Sequence, residues 1–143
     1  RLISATHFLS RVAGSRAGRG LSPSHYRALA LLREHGGLRI GELAGAVRVS
    51  QPGMTKIVGQ LERAGGVERR PDPADSRATL VEITAAGAQQ LRDRTADLAK
   101  QVSGDFADLT ATERDTLRAA VDILERHTAS MRTSRSSPEG PLP

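Results

Sequence analysis

The stretch Ser50 to Gly65, SQPGMTKIVGQLERAG, constrains the fold most, because it carries its own start, inner face and stop. Ser50 is a good N-cap. Gln51 and Pro52 fit the first turn, where a missing proline N–H costs little because that donor has no intrahelical partner. Ile57, Val58 and Leu61 fall at helical spacing and turn inward, leaving Gln51, Thr55, Lys56 and Gln60 on the exposed side. Gly65 and Gly66 supply the permissive backbone that ends the helix. Alone, such a helix is an ordinary amphipathic core element. Its neighbours give it another meaning.

A chain of 143 residues is expected to form one domain that buries an ordinary core, with a partner subunit expected to cover its long helices. With one Tyr, two Phe and no Trp, that core is built from Leu, Val, Ile and Ala, which favours a mostly helical fold. The absence of cysteine excludes disulfides, thiolate catalysis and cysteine-based metal sites. No apolar run approaches the ~20 residues of a membrane span, so no membrane partner and a cytoplasmic location are expected. The chain opens on Arg1 rather than Met, which points to residues removed before it and leaves a lost leader open.

The net charge of +5 is unevenly spread. Arg1 to Gly20 carries Arg1, Arg11, Arg16 and Arg19 and no acid. From Arg39 to Leu80 seven bases face five acids, whereas Val81 to Glu125 holds five bases and nine acids. Basic segments and an acidic helical tail suit a polyanion on one side of the molecule.

In chain order, Leu2 to Ala17 reads as a helix whose apolar set (Leu2, Ile3, Phe8, Leu9, Val12, Ala13) is too wide for one buried face, so contact with a second subunit is expected. Gly14 to Gly20 ends it. Ser22 then caps a second helix with Pro23 at its first position, running to about Glu34 and burying Tyr26, Leu29, Ala30 and Leu32. Ile40 to Val47 is a short helix with Ile40, Leu43, Ala44 and Val47 inward. Its brief connection into the Ser50 helix has helix-turn-helix spacing. Val67 to Arg70 and Leu80 to Ile83 have strand character around PDPADSRAT, read as a loop; a hairpin placed here is a wing. Arg77 stands at its tip, with Asp75 two residues earlier to fix the guanidinium direction.

Thr84 caps the next helix, weakened by Gly87, with Leu91, Leu98 and Val102 at helical spacing before Gly104. Thr110 with Glu113 has the form of a capping box opening a last helix seamed by Leu117, Val121 and Leu124. These helices lack partner surface within the chain and are expected to pair with a second copy. Thr133 to Pro143 reads as a disordered tail.

With the wing in place, the sequence resembles the MarR family of winged helix-turn-helix regulators, through GELAGAVRVSQPGMTKIVGQLERAGGVERR followed by DPADSRATLVEITAAG. The second segment matches the family's wing pattern, an Asp-x-Arg in a proline-containing loop, a strand, then Thr and Gly opening a helix. The implied fold is mostly α with a small β-wing, a winged helix-turn-helix with N- and C-terminal dimerisation helices. Residues 1–132 would form one such domain, with 2–17 and 84–131 as dimerisation helices and 22–83 as the DNA-binding part. The resemblance implies a homodimer on double-stranded DNA, with a recognition helix in the major groove and Arg77 in the minor groove. Ser50, Gln51, Thr55, Lys56 and Arg70 become the base or phosphate contacts, Asp75 the orienting acid, and Leu2, Leu9, Leu117, Val121 and Leu124 the dimer seam. Hydroxyl, amide and ammonium groups at a helix start do suit phosphates and base edges. An Arg on a projecting loop suits a narrow, strongly negative minor groove. Arg39 departs from the pattern, standing where a capping Ser or Thr usually precedes Glu42, so no capping box is expected and the turn is less secured.

His7, His25, His35 and His127 are scattered without ligand spacing, so no metal and no cofactor are expected. Asp72 and Asp75 lack a partnering nucleophile, and no enzymatic use is expected. The family's effector cleft maps onto His7, Arg11 and Tyr26, which would take a small aromatic or anionic molecule. The competing reading leaves Tyr26 as core and Arg11 as a solvated cation. The expected function is a sequence-specific repressor released by such an effector. The alternatives are an architectural DNA-binding protein and an adaptor that uses the winged region only for protein contacts.

Overall fold

The structure is a computed structural model that describes residues 1–16 and 21–135, residues 130–135 by backbone alone. The described elements are α1 (Leu2–Arg16), α2 (Pro23–His35), β1 (Leu38–Arg39), α3 (Ile40–Val47), α4 (Gln51–Arg63), β2 (Val67–Asp72), β3 (Asp75–Ile83), α5 (Ala85–Ser103), a 3-10 turn (Gly104–Phe106) and α6 (Ala111–Arg135). They fall into two compact units, the first ending at Gly104 and the second beginning at Asp105.

In the first unit the helix starts follow their caps. Ser22 accepts from the His25 N–H at 3.4 Å with Pro23 opening α2, and Ser50 accepts from the Gly53 N–H at 3.2 Å at the head of α4. Helix α4 ends through Gly65, whose φ of +69° is the left-handed conformation that glycine adopts without steric cost. The inner faces of α2, α3, α4, α5 and the sheet then converge. Leu29, Leu32, Leu43, Met54, Val58, Leu61, Val81 and Leu91 are fully buried, and burial of each Leu contributes roughly 1.5–3 kcal/mol. Met54 belongs to this core although the helical spacing singled out only Ile57, Val58 and Leu61. Tyr26, Ala30 and Ile57 pack against the core half-buried.

The sheet differs most from expectation. It has three antiparallel strands in the order β1-β3-β2, and β1 pairs Leu38 with Val81 and Arg39 with Leu80. Two residues carry no readable alternation, so β1 was invisible to pattern. The segment read as a long loop is mostly strand, since β2 continues to Asp72, β3 starts at Asp75, and only Pro73 and Ala74 turn. The turn closes tightly because Asp72 accepts the Ala74 N–H at 2.9 Å on its carboxylate, an Asx-type contact that Asp favours. Pairing jumps from Pro71 with Thr79 to Asp72 with Asp75, so Ser76, Arg77 and Ala78 bulge from β3.

Gly87 is more than a weak point in α5. A Cβ there would lie 1.9 Å from the Gly66 carbonyl oxygen, so only glycine lets α5 seat on the end of α4. Thr84 reinforces the seat: its hydroxyl donates to Gly65 O at 2.6 Å, its N–H donates to Gly66 O at 3.1 Å, and its oxygen caps Gly87 N. In α1 only Ala13 is buried, while Leu2, Ile3, Phe8 and Leu9 are exposed. The expected end of this helix at residues 17–20 lies outside the described residues.

In the second unit the capping box at α6 is present. The Thr110 N–H donates to Glu113 at 2.8 Å and the Glu113 N–H to the Thr110 hydroxyl at 3.3 Å. The Thr110 hydroxyl and then its N–H hold the Glu113 carboxyl below its usual range. Leu117, Val121, Ile123 and Leu124 are exposed on α6. The helix continues to Arg135, past the expected start of the tail, and residues 136–143 lie outside the described residues. The two helices read over 84–131 are α5 and α6, separated after Ser103 where Gly104 was expected to interrupt. No described helix is long and apolar enough to cross a membrane.

Candidate nucleic-acid interface

Helix α4 presents a polar, uncovered first turn and a half. Gln51, Thr55 and Lys56 are exposed. The Thr55 hydroxyl donates back to Gln51 O at 3.0 Å, which leaves its lone pairs as acceptors toward solvent. Ser50 is committed to capping, so its main outward resource is its place at the positive helix end.

The wing carries the second cationic element. Arg77 projects from the bulge with its side chain 93% exposed. Asp75 accepts the Arg77 N–H at 3.1 Å on Oδ1, and the same oxygen lies 3.6 Å from Arg77 Nε. Asp75 therefore fixes the Arg77 backbone by a hydrogen bond, and its charge lies near the guanidinium without hydrogen-bonding it. Arg70 is in a different state, since its guanidinium donates to Glu68 at 3.0 and 2.6 Å and lies 3.3 Å from Glu82. Its pKa is raised, first by the hydrogen bond to Glu68. A DNA phosphate would have to compete with two carboxylates, so Arg70 is a poorer contact than its charge suggested.

Two features escaped the sequence. Arg48, between α3 and α4, has φ +63° and ψ +50°, the left-handed C-cap geometry, and its side chain is exposed. Arg39 does not leave the start of α3 unsecured. Arginine has no acceptor to cap with, yet Glu42 still reaches back to accept the Arg39 N–H at 2.8 Å. The Arg39 guanidinium donates to Asp72 from two nitrogens at 2.8 and 2.5 Å. Asp72 is the buried member of the acid pair considered above, at 7% exposure, and is consumed by structure. The Ala74 N–H first, and Arg39 next, hold its carboxyl below the usual carboxylate range. The signal available in the sequence was Arg39 itself, a cation where a cap was wanted.

A cavity of about 670 Å³ lies among α1, α2 and α5, lined by His7, Tyr26, Arg27, Arg94, Thr95 and apolar residues including Leu98. His7 and Tyr26 therefore meet there, but Arg11 does not join them. Its guanidinium stacks 5.7 Å from the Phe8 ring centre on the exposed side of α1. Arg94 stands in its place. Arg94 Nε is buried and makes no hydrogen bond among the described residues. Its signal was legible, since Leu91, Arg94 and Leu98 share one helical stripe. Thr95 donates to Leu91 O at 2.8 Å, so the Tyr26 hydroxyl, 3.2 Å away, is the donor to Thr95.

Comparison with known proteins gives this geometry a context. Residues 21–79 match the sequence model described as the MarR family. The uncharacterized HTH-type transcriptional regulator Mb0904 of Mycobacterium bovis is 34% identical over 104 residues, which are 73% of this chain and 73% of that protein. Among solved structures, the transcriptional regulator Tm0710 of Thermotoga maritima superposes with a TM-score of 0.69 at 26% identity, over 96% of each chain. Wild-type MarR of E. coli in its apo form shares the fold, with a TM-score of 0.64 at 22% identity over 86% of this chain and 93% of that one.

Proposed function

This chain belongs to the MarR family of DNA-binding transcriptional regulators, which are not enzymes, and within that family we propose that it is a cytoplasmic homodimeric repressor released by a small molecule. The observation that carries the reading is the pairing of an uncovered polar start on α4 with a nearly fully exposed Arg77 on the bulge of the hairpin. Gln51, Thr55 and Lys56 read base edges and phosphates in the major groove, with Ser50 and the α4 N-terminus on a phosphate. Arg77 enters the adjacent minor groove, where its charge is favoured by the negative potential. The exposed apolar residues of α1 and α6, among them Leu2, Leu9, Leu117, Val121 and Leu124, are covered by the second copy. A dimer seated on an operator represses by excluding polymerase.

The effector is a small aromatic anion in the α1–α2–α5 cavity, with Arg94 facing its charge and His7 and Tyr26 its ring. It acts by binding better to a dimer whose recognition helices are wrongly spaced, and lowers DNA affinity by that preference.

Selection from a pool of randomised duplexes by the full chain tests the regulator reading. The expected product is a pseudo-palindrome with half-sites about one helical turn (~34 Å) apart. On it, Gln51→Ala loses on the order of 1–3 kcal/mol of discrimination at one base position. Equal binding to every duplex with a steep salt dependence would replace the regulator with an architectural DNA-binding protein. Full affinity after Arg77→Ala would remove the wing from the interface.

A further inference from the structure

We propose that Arg39 is a positioning residue of the DNA interface: bound to Asp72, it braces the wing against the start of α3 and sets where Arg77 stands relative to α4. The proposal rests on the duplex-binding reading above.

Local preference argues against an arginine at this position. It cannot cap, and its charge sits at the positive end of α3. Its benefit must therefore be tertiary, and the structure gives a specific one. Arg39 is the last residue of β1 and pairs with Leu80, so it stands where the three-stranded sheet stops and the hairpin continues alone through Pro71 and Thr79. Past that point β3 has lost one of its two neighbours, and the hairpin is free to bend. The Arg39 fork spans this place. Both of its bonds go to Asp72 Oδ2, while Oδ1 of the same carboxylate accepts the Ala74 N–H and shapes the turn. Arg39 Nη2 is also 4.0 Å from Asp75 Oδ2, and Asp75 Oδ1 in turn holds the Arg77 N–H. Charges alternate along this row from the helix-turn-helix to the tip. Two nitrogens of a planar guanidinium on one buried carboxylate restrict direction as well as distance, which a single flexible ammonium would not do.

The brace acts only through the wing, so its effect on binding is bounded by the wing's own contribution. Affinity of the full chain would be measured on the duplex it selects, for Arg39→Met, Asp72→Asn, Arg77→Ala and the doubles with Arg77→Ala. Arg77→Ala is expected to weaken binding roughly tenfold to a hundredfold. Arg39→Met and Asp72→Asn should each lose part of that factor and add nothing once Arg77 is gone. Asp72→Asn keeps the oxygen that accepts from Ala74, and so tests the brace even where Arg39→Met unfolds. If Arg39→Met weakens binding by the same factor with and without Arg77, Arg39 touches phosphate directly and the brace is refuted. No loss from either Arg39→Met or Asp72→Asn refutes it equally. An Arg77→Ala protein of unchanged affinity would remove the wing from the interface and the brace with it, whereas a wild-type chain that selects no duplex would overturn the duplex-binding reading itself.

Discussion

The winged region and the terminal helices solve the burial problem in opposite ways. From α2 to the start of α5 the chain is complete in itself, because each helix has a buried stripe, the sheet covers one side, and the buried carboxylate has a partner. In α1 only Ala13 is buried, and every side chain from Ala111 to Ala129 of α6 is exposed. The first region spends its apolar residues on its own fold. The second holds Leu2, Ile3, Phe8, Leu117, Val121 and Ile123 at roughly half exposure or more, a pattern that monomeric proteins rarely keep. Under the proposed function, reading DNA and joining subunits fall to parts that differ in whether they need a neighbour.

The sharpest way to break this contrast is to charge the incomplete part. Leu117→Glu with Leu124→Glu should leave a monomer by sedimentation at micromolar concentration and reduce operator affinity about a hundredfold or more, since two linked half-sites become one. The core of the winged region should survive, read as an unchanged melting transition for that part. A stable wild-type monomer under the same conditions would erase the contrast. The converse change strikes the complete part. Gly87→Ala places a methyl against Gly66 O and should cost about 3 kcal/mol in chemical denaturation.

A smaller effect comes from acid. Because the folded carboxyl of Asp72 titrates below its unfolded value, its contribution is full above that unfolded value, near ~4, and is lost as pH falls through the folded one. The wing turn should stay anchored at pH 5 and loosen only below about 4, followed by amide exchange at Ala74. Asp72→Asn should flatten that dependence. The smallest effect is at Arg48. Relief of its left-handed conformation by Arg48→Gly gains about 1–2 kcal/mol, and glycine's extra unfolded freedom returns about 0.5–1. A net stabilisation of roughly 0.5 kcal/mol in thermal melts is expected.

Local signals were readable in the sequence and tertiary ones were not. Ser22, Ser50, Thr84 and Thr110 announce their helices because a cap and its N–H lie within three residues. Arg39 and Asp72 are separated by 33 positions, and nothing in either neighbourhood names the other. Gly87 read as a weakness because propensity sees only its own helix, whereas the reason for it is the carbonyl of Gly66. At the candidate interface, Gln51, Thr55, Lys56 and Arg77 stand exposed as the pattern required. Arg70 pairs with Glu68 two residues before it and with Glu82 across the strand, and Arg11 lies beside Phe8 on α1, contacts that the charge and spacing of these two arginines did not name.

The protrusion that carries Arg77 lies outside the ladder. Ser76, Arg77 and Ala78 have no cross-strand partners, while Val67 to Pro71 stay matched to Thr79 to Ile83. Residues can thus be exchanged, added or removed in that three-residue overhang without slipping the register beneath it. Under the proposed function, groove reach and target preference are free to diverge between descendants of this chain while the frame that holds them stays the same.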